Sequence, residues 1–263
     1  MLNAQQSFCN NFKKQQNQLM KLYKEQITIG SFSNISFYTA LEAFFNMGFE
    51  ICEVESISDL NEIEPDNIFL GSIQFIQGAL AKLNRSIPDP LDYPVSLEKF
   101  LGRKIEVSTM DEIASDPSKW NVFVKPKGVT KKFTGRLIRG TKDLVGCEDI
   151  NMNTPIWVSQ PVQFIAEWRV FIRYRTVLGV KQYKGDWRAQ YDYKIIEEAV
   201  ELYENQPAGF ALDFGLTQEG KLLLVEANDG FGLGNYGLFY VDYAKLLSAR
   251  WSELTGQEDL CNF

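Results

Sequence analysis

Residues 211–229 constrain the fold more than any other stretch of this chain. The runs Ala211-Leu-Asp-Phe-Gly-Leu216 and Leu222-Leu-Leu-Val225 flank Gln218-Glu219-Gly220. Two apolar runs around turn chemistry predict a β-hairpin. Alternate residues of a strand share a face, so Asp213 stands mid-strand while Glu226 and Asn228 leave the second strand together. Three oxygen donors at that spacing suit magnesium, which takes few carboxylates and completes its octahedron with water and phosphate oxygens. The same pattern equally describes an ordinary antiparallel hairpin with a polar exit.

The rest of the composition limits what such a hairpin can serve. The chain has 263 residues, 45% of them hydrophobic, enough to bury a proper core in one large or two small domains. It contains no histidine, which excludes Ser-His and Cys-His relays, imidazole acid–base chemistry and His metal ligation. Chemistry must therefore run on carboxylates, lysines, arginines and metal. A net charge of −7 disfavours general binding to nucleic acid or anionic membrane. Cys9, Cys52, Cys147 and Cys261 lie far apart with no Cys-x-x-Cys pair, which fits a reducing compartment. No apolar run approaches a membrane span and no signal peptide opens the chain, so a soluble cytoplasmic protein is expected.

Along the chain, Phe8, Phe12, Leu19 and Leu22 recur at near-helical intervals and predict an amphipathic helix over 1–24, able to dock on the body or on a partner. A small α/β domain is expected over 25–118. Strands are predicted near Ile27-Thr-Ile29, Phe49–Val54 and Asn67–Leu70, with helices at Ser36–Met47 and about Ser72–Leu83. Three prolines make Ile87–Pro94 a rigid connection, and Thr109-Met-Asp-Glu112 matches a helix capping box. No internal repeat is visible.

Past Pro117 the character changes. Residues 119–142 carry eight basic side chains, Lys125, Lys127, Lys131 and Lys132 among them, and no acidic one. The run Val122-Phe-Val124 ends at Lys125, and 127–132 form a short basic loop, so these lysines can follow a polyphosphate as point charges. A solvated basic hairpin is the bland alternative. A strand is predicted over Thr154–Val162. In Glu167-Trp-Arg-Val-Phe-Ile-Arg-Tyr-Arg175, strand periodicity puts Glu167, Arg169, Phe171, Arg173 and Arg175 on a cationic face and Trp168, Val170, Ile172 and Tyr174 on a core face. A helix is expected over Tyr191–Asn205, a glycine-rich loop over Asn228–Gly237 and a closing helix over Tyr240–Thr255.

Taken in order, these parts resemble the ATP-grasp superfamily. The residues that carry the likeness are Val122-Phe-Val-Lys-Pro126, Lys131-Lys-Phe-Thr-Gly135, Glu167-Trp-Arg169, Leu212–Thr217, Val225-Glu-Ala-Asn-Asp-Gly230 and Gly234-Asn-Tyr-Gly237. Together they look like the divergent clade that includes the eukaryotic cell-division-cycle assembly factor for a translation initiation factor, with bacterial and phage relatives. The likeness spans roughly 119–255. It implies an ATP-grasp fold over 119–263, two α+β subdomains clasping ATP, preceded by a small α/β domain.

The resemblance also implies roles. Lys125, Lys127 and either Lys131 or Lys132 would hold phosphates. The Gln160 carbonyl and Val162 amide would form the adenine hinge, since Pro161 has no N–H to donate. Glu167 and Asp213 would join the nucleotide-binding set. Arg169 would touch the γ-phosphate or an acyl phosphate, with Lys125 and Arg173 assisting catalysis. Asp213, Glu226 and Asn228 would bind Mg2+, and the loop around Gly128 would act as a lid. Lys184 and Asp186 either line the acceptor side or form a surface turn. The implied activity is an ATP- and Mg2+-dependent carboxylate–amine ligase working through an acyl phosphate, on a peptide or protein. The alternatives are a nucleotide-binding assembly factor without turnover, and a kinase.

Overall fold

The computed structural model describes residues 20–26, 35–128, 132–147 and 153–263. A three-stranded parallel sheet comes first, with β1 (Lys21–Glu25), β2 (Glu50–Val54) and β3 (Ile68–Leu70) in the order β2-β1-β3. Parallel neighbours need a crossover, and helix α1 (Ile35–Asn46) supplies it between β1 and β2. Helix α2 (Ile73–Lys82) starts where the Ser72 hydroxyl accepts from the Phe75 amide at 3.3 Å. Strand β1 corrects the expected helix over 1–24. Lys21–Glu25 is the central strand of its sheet, because β2 and β3 satisfy its backbone on both sides and bury Leu22 and Lys24. Residues 1–19 and the predicted strand at 27–29 lie outside the described residues.

The second sheet is antiparallel, with β4 (Ile105–Thr109), β7 (Pro155–Ser159), β5 (Val122–Pro126) and β6 (Arg136–Ile138) in the order β4-β7-β5-β6. Strand β4 precedes residue 118 and pairs with β7, so this sheet draws on both sides of the expected boundary at 118/119. Helix α3 (Met110–Ser115) begins at the Thr109 cap, as its capping box predicts, and α4 (Thr141–Leu144) follows β6. Val124, Ile138 and Ile156 bury against Met110, Ile113 and Phe133.

The third sheet is larger. Strands β8 (Phe164–Arg173), β9 (Thr176–Gly185), β10 (Gly209–Thr217) and β11 (Leu222–Asp229) run antiparallel in the order β11-β10-β8-β9. On β8, Trp168, Val170 and Ile172 pack with Ile196, Ala199 and Val200 of α5 (Tyr193–Leu202), while Phe171 joins the opposite core. That second core contains Tyr243 and Leu247 of α6 (Tyr240–Thr255) together with Phe44 and Phe69 of the N-terminal unit. Gly209 lets α6 lie close on the sheet, since a Cβ there would stand 2.4 Å from the Leu246 carbonyl oxygen. Arg175, expected on the cationic face, sits with Tyr174 in the turn between β8 and β9, both at positive φ, and donates to the Glu201 carbonyl at 2.9 Å. No helix among the described residues is long and apolar enough to cross a membrane.

Candidate functional site

Strand register builds one polar row across the large sheet. Residues opposed in an antiparallel pair share a face. Glu226 on β11 opposes Asp213 on β10, Asp213 opposes Arg169 on β8, and Arg169 opposes Lys181 on β9. Glu167, two residues from Arg169 and on its face, opposes Lys184. Asn228 joins the row through Nδ2, which donates to Asp213 Oδ2 at 3.2 Å.

Asp213 and Arg169 are 2% and 7% exposed and meet as a two-pronged pair, Nε to Oδ1 at 2.8 Å and Nη2 to Oδ2 at 2.7 Å. Burial pushes the Asp213 carboxyl up against the downward pull of Arg169. For Arg169, burial works against the charge, but the Asp213 bonds outweigh it and hold the guanidinium protonated. The Tyr236 ring covers the guanidinium at 4.7 Å and stacks on Tyr183 at 4.9 Å. The Tyr183 hydroxyl donates to Glu167 Oε2 at 2.9 Å, and Lys184 donates to the same carboxylate. Burial, then Asp213 and Glu167, raise the Tyr183 phenol well above its ordinary value.

The small sheet brings the opposing charge. Lys125, projecting from β5, places Nζ 2.7 Å from Glu226 Oε2 and 2.7 Å from Asp92 Oδ1, with the Tyr93 ring at 4.9 Å. Burial disfavours the Lys125 ammonium, but Glu226, Tyr93 and Asp92 outweigh it and raise its pKa. Residues 160–163 join β7 to β8, so Gln160 and Val162 sit on the connection between the two antiparallel sheets.

The fold thus brings Lys125, Glu167, Arg169, Asp213, Glu226 and Asn228 to facing surfaces of two sheets. Lys127 lies beside them over the Trp157 ring at 4.9 Å. Lys132 donates to Thr154 Oγ1 at 3.3 Å, whereas Lys131 and part of the loop beyond Gly128 lie outside the described residues. Asp186 pairs with Arg188 on the exposed side of its turn, as the bland alternative expects. Arg173 is a correction. Four residues along β8 from Arg169, its guanidinium is taken by the C-terminal segment: Asp259 Oδ2 at 2.7 Å, Asn262 Oδ1 at 3.2 Å and the Cys261 carbonyl at 3.3 Å. It anchors the chain end rather than the site.

Magnesium fits the donor set chemically. Among the described residues no cluster of three or more His, Cys, Asp or Glu forms a metal cage. The row offers instead two carboxylates and one amide, which leaves coordination positions for phosphate oxygens and water, as this ion prefers. An open cleft of about 420 Å3 at the β8–β9 turn, lined by Tyr174, Gln206 and Glu253, holds none of these residues.

Sequence reasoning missed Asp92, Trp157, Tyr183 and Tyr236. Asp92 and Trp157 carry no local signal. Tyr183 shares a strand with Lys181, and Tyr236 lies in the loop expected to approach a ligand, so position in those elements was the available clue.

Comparison with known proteins completes the description. The model of an ATP-grasp domain family, the second family of its clade, matches residues 100–246. The structure is similar to D-alanine–D-alanine ligase from Bacillus anthracis complexed with ATP, at 16% identity and a TM-score of 0.54, over 91% of this chain and 97% of that one. It is also similar to N5-carboxyaminoimidazole synthetase from Staphylococcus aureus complexed with ADP, at 11% identity and 0.53, over 91% and 78% of the two chains. At these identities the likeness is one of fold. No curated protein matches in sequence.

Proposed function

Since this chain belongs to that ATP-grasp domain family, we propose that it is an ATP- and magnesium-dependent ligase joining a carboxylate to an amine, with a peptide or protein as substrate. The observation that carries this reading is the meeting of Lys125, from one antiparallel sheet, with the Glu226–Asp213–Arg169 row of the other, at the connection that joins the two sheets. A cation and a carboxylate pair held across a cleft are what a metal-bound polyphosphate needs.

In this reading adenine rests on the Gln160 carbonyl and the Val162 amide. Lys125, Lys127 and Lys131 or Lys132 follow the phosphates, and Glu167 lies on the nucleotide side of β8. Asp213, Glu226 and Asn228 would hold magnesium, which supplies charge neutralisation at the phosphates when bound. Arg169, locked in plane by Asp213 and covered by Tyr236, is preorganised to stabilise charge on the transferring phosphoryl group. A substrate carboxylate oxygen attacks the γ-phosphorus and ADP departs, leaving an acyl phosphate. The amine nitrogen then attacks the acyl carbon, phosphate departs with the bonding pair, and the amine proton passes to solvent. Positioning and electrostatics supply the catalysis, so the lack of histidine is no obstacle.

The test is incubation with ATP, Mg2+ and a library of carboxylates and amines, followed by ADP release and product mass. A new amide supports the ligase, and a persistent phosphorylated product makes it a kinase. Mg-ATP binding without turnover, with a partner complex unaffected by Asp213→Ala and Glu226→Ala, favours the assembly-factor alternative suggested by the clade resemblance. Failure to bind Mg-ATP sinks the nucleotide reading altogether.

A further inference from the structure

Lys125 is held by two carboxylates, and one of them lies outside the set of residues expected at the site. Asp92 belongs to the proline-rich connection 87–94, ahead of the residues that the family model matches. Its carboxylate is fixed at both oxygens, Oδ1 on Lys125 Nζ at 2.7 Å and Oδ2 accepting from Trp157 Nε1 at 2.7 Å. Its backbone is fixed as well. The Asp92 carbonyl accepts from the Ala227 amide at 2.8 Å, forming a single antiparallel bridge against the edge of β11 next to Glu226. The residue sits at φ 42°, a left-handed conformation that aspartate tolerates better than most residues. Tyr93, its neighbour, packs edge-on against Trp157 at 5.3 Å and beneath Lys125. The connection is thus clamped so that a carboxylate with 13% side-chain exposure points at the lysine of the small sheet.

We propose that Asp92 is a specificity determinant that reserves Lys125 for metal-bound nucleotide and disfavours free polyphosphate. This inference rests on the nucleotide reading above and extends it to ligand discrimination. Asp92, Glu226 and Asp213 surround Lys125 and Arg169 with three carboxylates against two cations. An incoming polyphosphate meets repulsion from Glu226 and from Asp92. A divalent cation carried with it engages Glu226 and so removes one of these, and it also lowers the net charge of the ligand. Free ATP brings no such compensation and must take Lys125 from both carboxylates. Because the interaction energy scales with the product of the charges, removing the Asp92 charge benefits the more negative ligand more. Asp92 does not touch the reacting atoms in this scheme and acts through Lys125.

Titration calorimetry of ATP with Mg2+, and of ATP with EDTA, on the wild type, Asp92→Asn and Asp92→Ser tests the inference. The expected result is that both variants bind free ATP about tenfold more tightly, gain less for Mg-ATP, and so lose part of the wild-type preference for the metal-bound form. Retained circular dichroism shows that the variants fold, and two side chains of different shape separate charge from packing. Unchanged or weaker binding of free ATP in the folded variants overturns the proposal, since Asp92 would then merely position Lys125. A wild type that binds neither form removes the nucleotide reading and this inference with it.

Discussion

Arg169 and Asp213 oppose each other on neighbouring antiparallel strands and join through two parallel hydrogen bonds of 2.8 and 2.7 Å. Both are nearly inaccessible to water, so neither charge tolerates loss of its partner. Arg169→Met leaves the carboxylate buried and unpaired, and is expected to cost about 3–5 kcal/mol in urea unfolding. The double variant Arg169→Met/Asp213→Leu recovers most of that stability while abolishing Mg-ATP binding in calorimetry. A double variant no more stable than the single one contradicts this account.

Lys125→Met tests the opposite wall of the cleft. Charge-assisted hydrogen bonds are worth about 1.5–3 kcal/mol, so Mg-ATP affinity is expected to fall roughly ten- to a hundredfold. The loss also leaves Asp92 and Glu226 without their shared cation, which adds repulsion toward the nucleotide.

Arg173→Met separates the two arginines that strand periodicity treats alike. Its partner Asp259 is 9% exposed, so the variant is expected to lose about 3 kcal/mol in urea unfolding while keeping wild-type Mg-ATP affinity when folded. A large drop in affinity would return Arg173 to the site.

Asp259 also sets an acid limit on stability. Burial works to raise its carboxyl, but hydrogen bonds from Ser248, Arg173, the Cys261 amide and Tyr174 outweigh burial and lower its pKa. A pKa lower in the folded than in the unfolded chain contributes stability above the unfolded value, about 4. That contribution is lost as pH falls from there through the folded value. Urea midpoints measured from pH 5 downward should fall in the wild type, and fall less steeply in Asp259→Asn.

Much of this architecture was legible locally. The hairpin of β10 and β11, the two-faced β8 and the span of α6 follow from alternation, turn residues and helical spacing, and each is present. The expected ATP-grasp fold is likewise present. Lys21–Glu25 misled because the Leu19/Leu22 spacing suits a helix in isolation. Its strand state comes from β2 and β3, which are 25 or more residues away in the chain.

From sequence alone came the chemistry on offer: carboxylates, lysines and arginines without histidine, placed on strand faces by a two-residue period that neighbouring residues impose. That period treats Arg169 and Arg173 as equals, because it reports which face a side chain leaves and not what lies opposite. Only the packing of distant segments distinguished them. The C-terminal segment closed over Arg173, the small sheet brought Lys125 to Glu226 across 101 positions of sequence, and the proline-rich connection added Asp92. In a burial-dependent interaction the covering element decides whether a charge is an anchor or a ligand-facing group, and that element is not a neighbour in sequence.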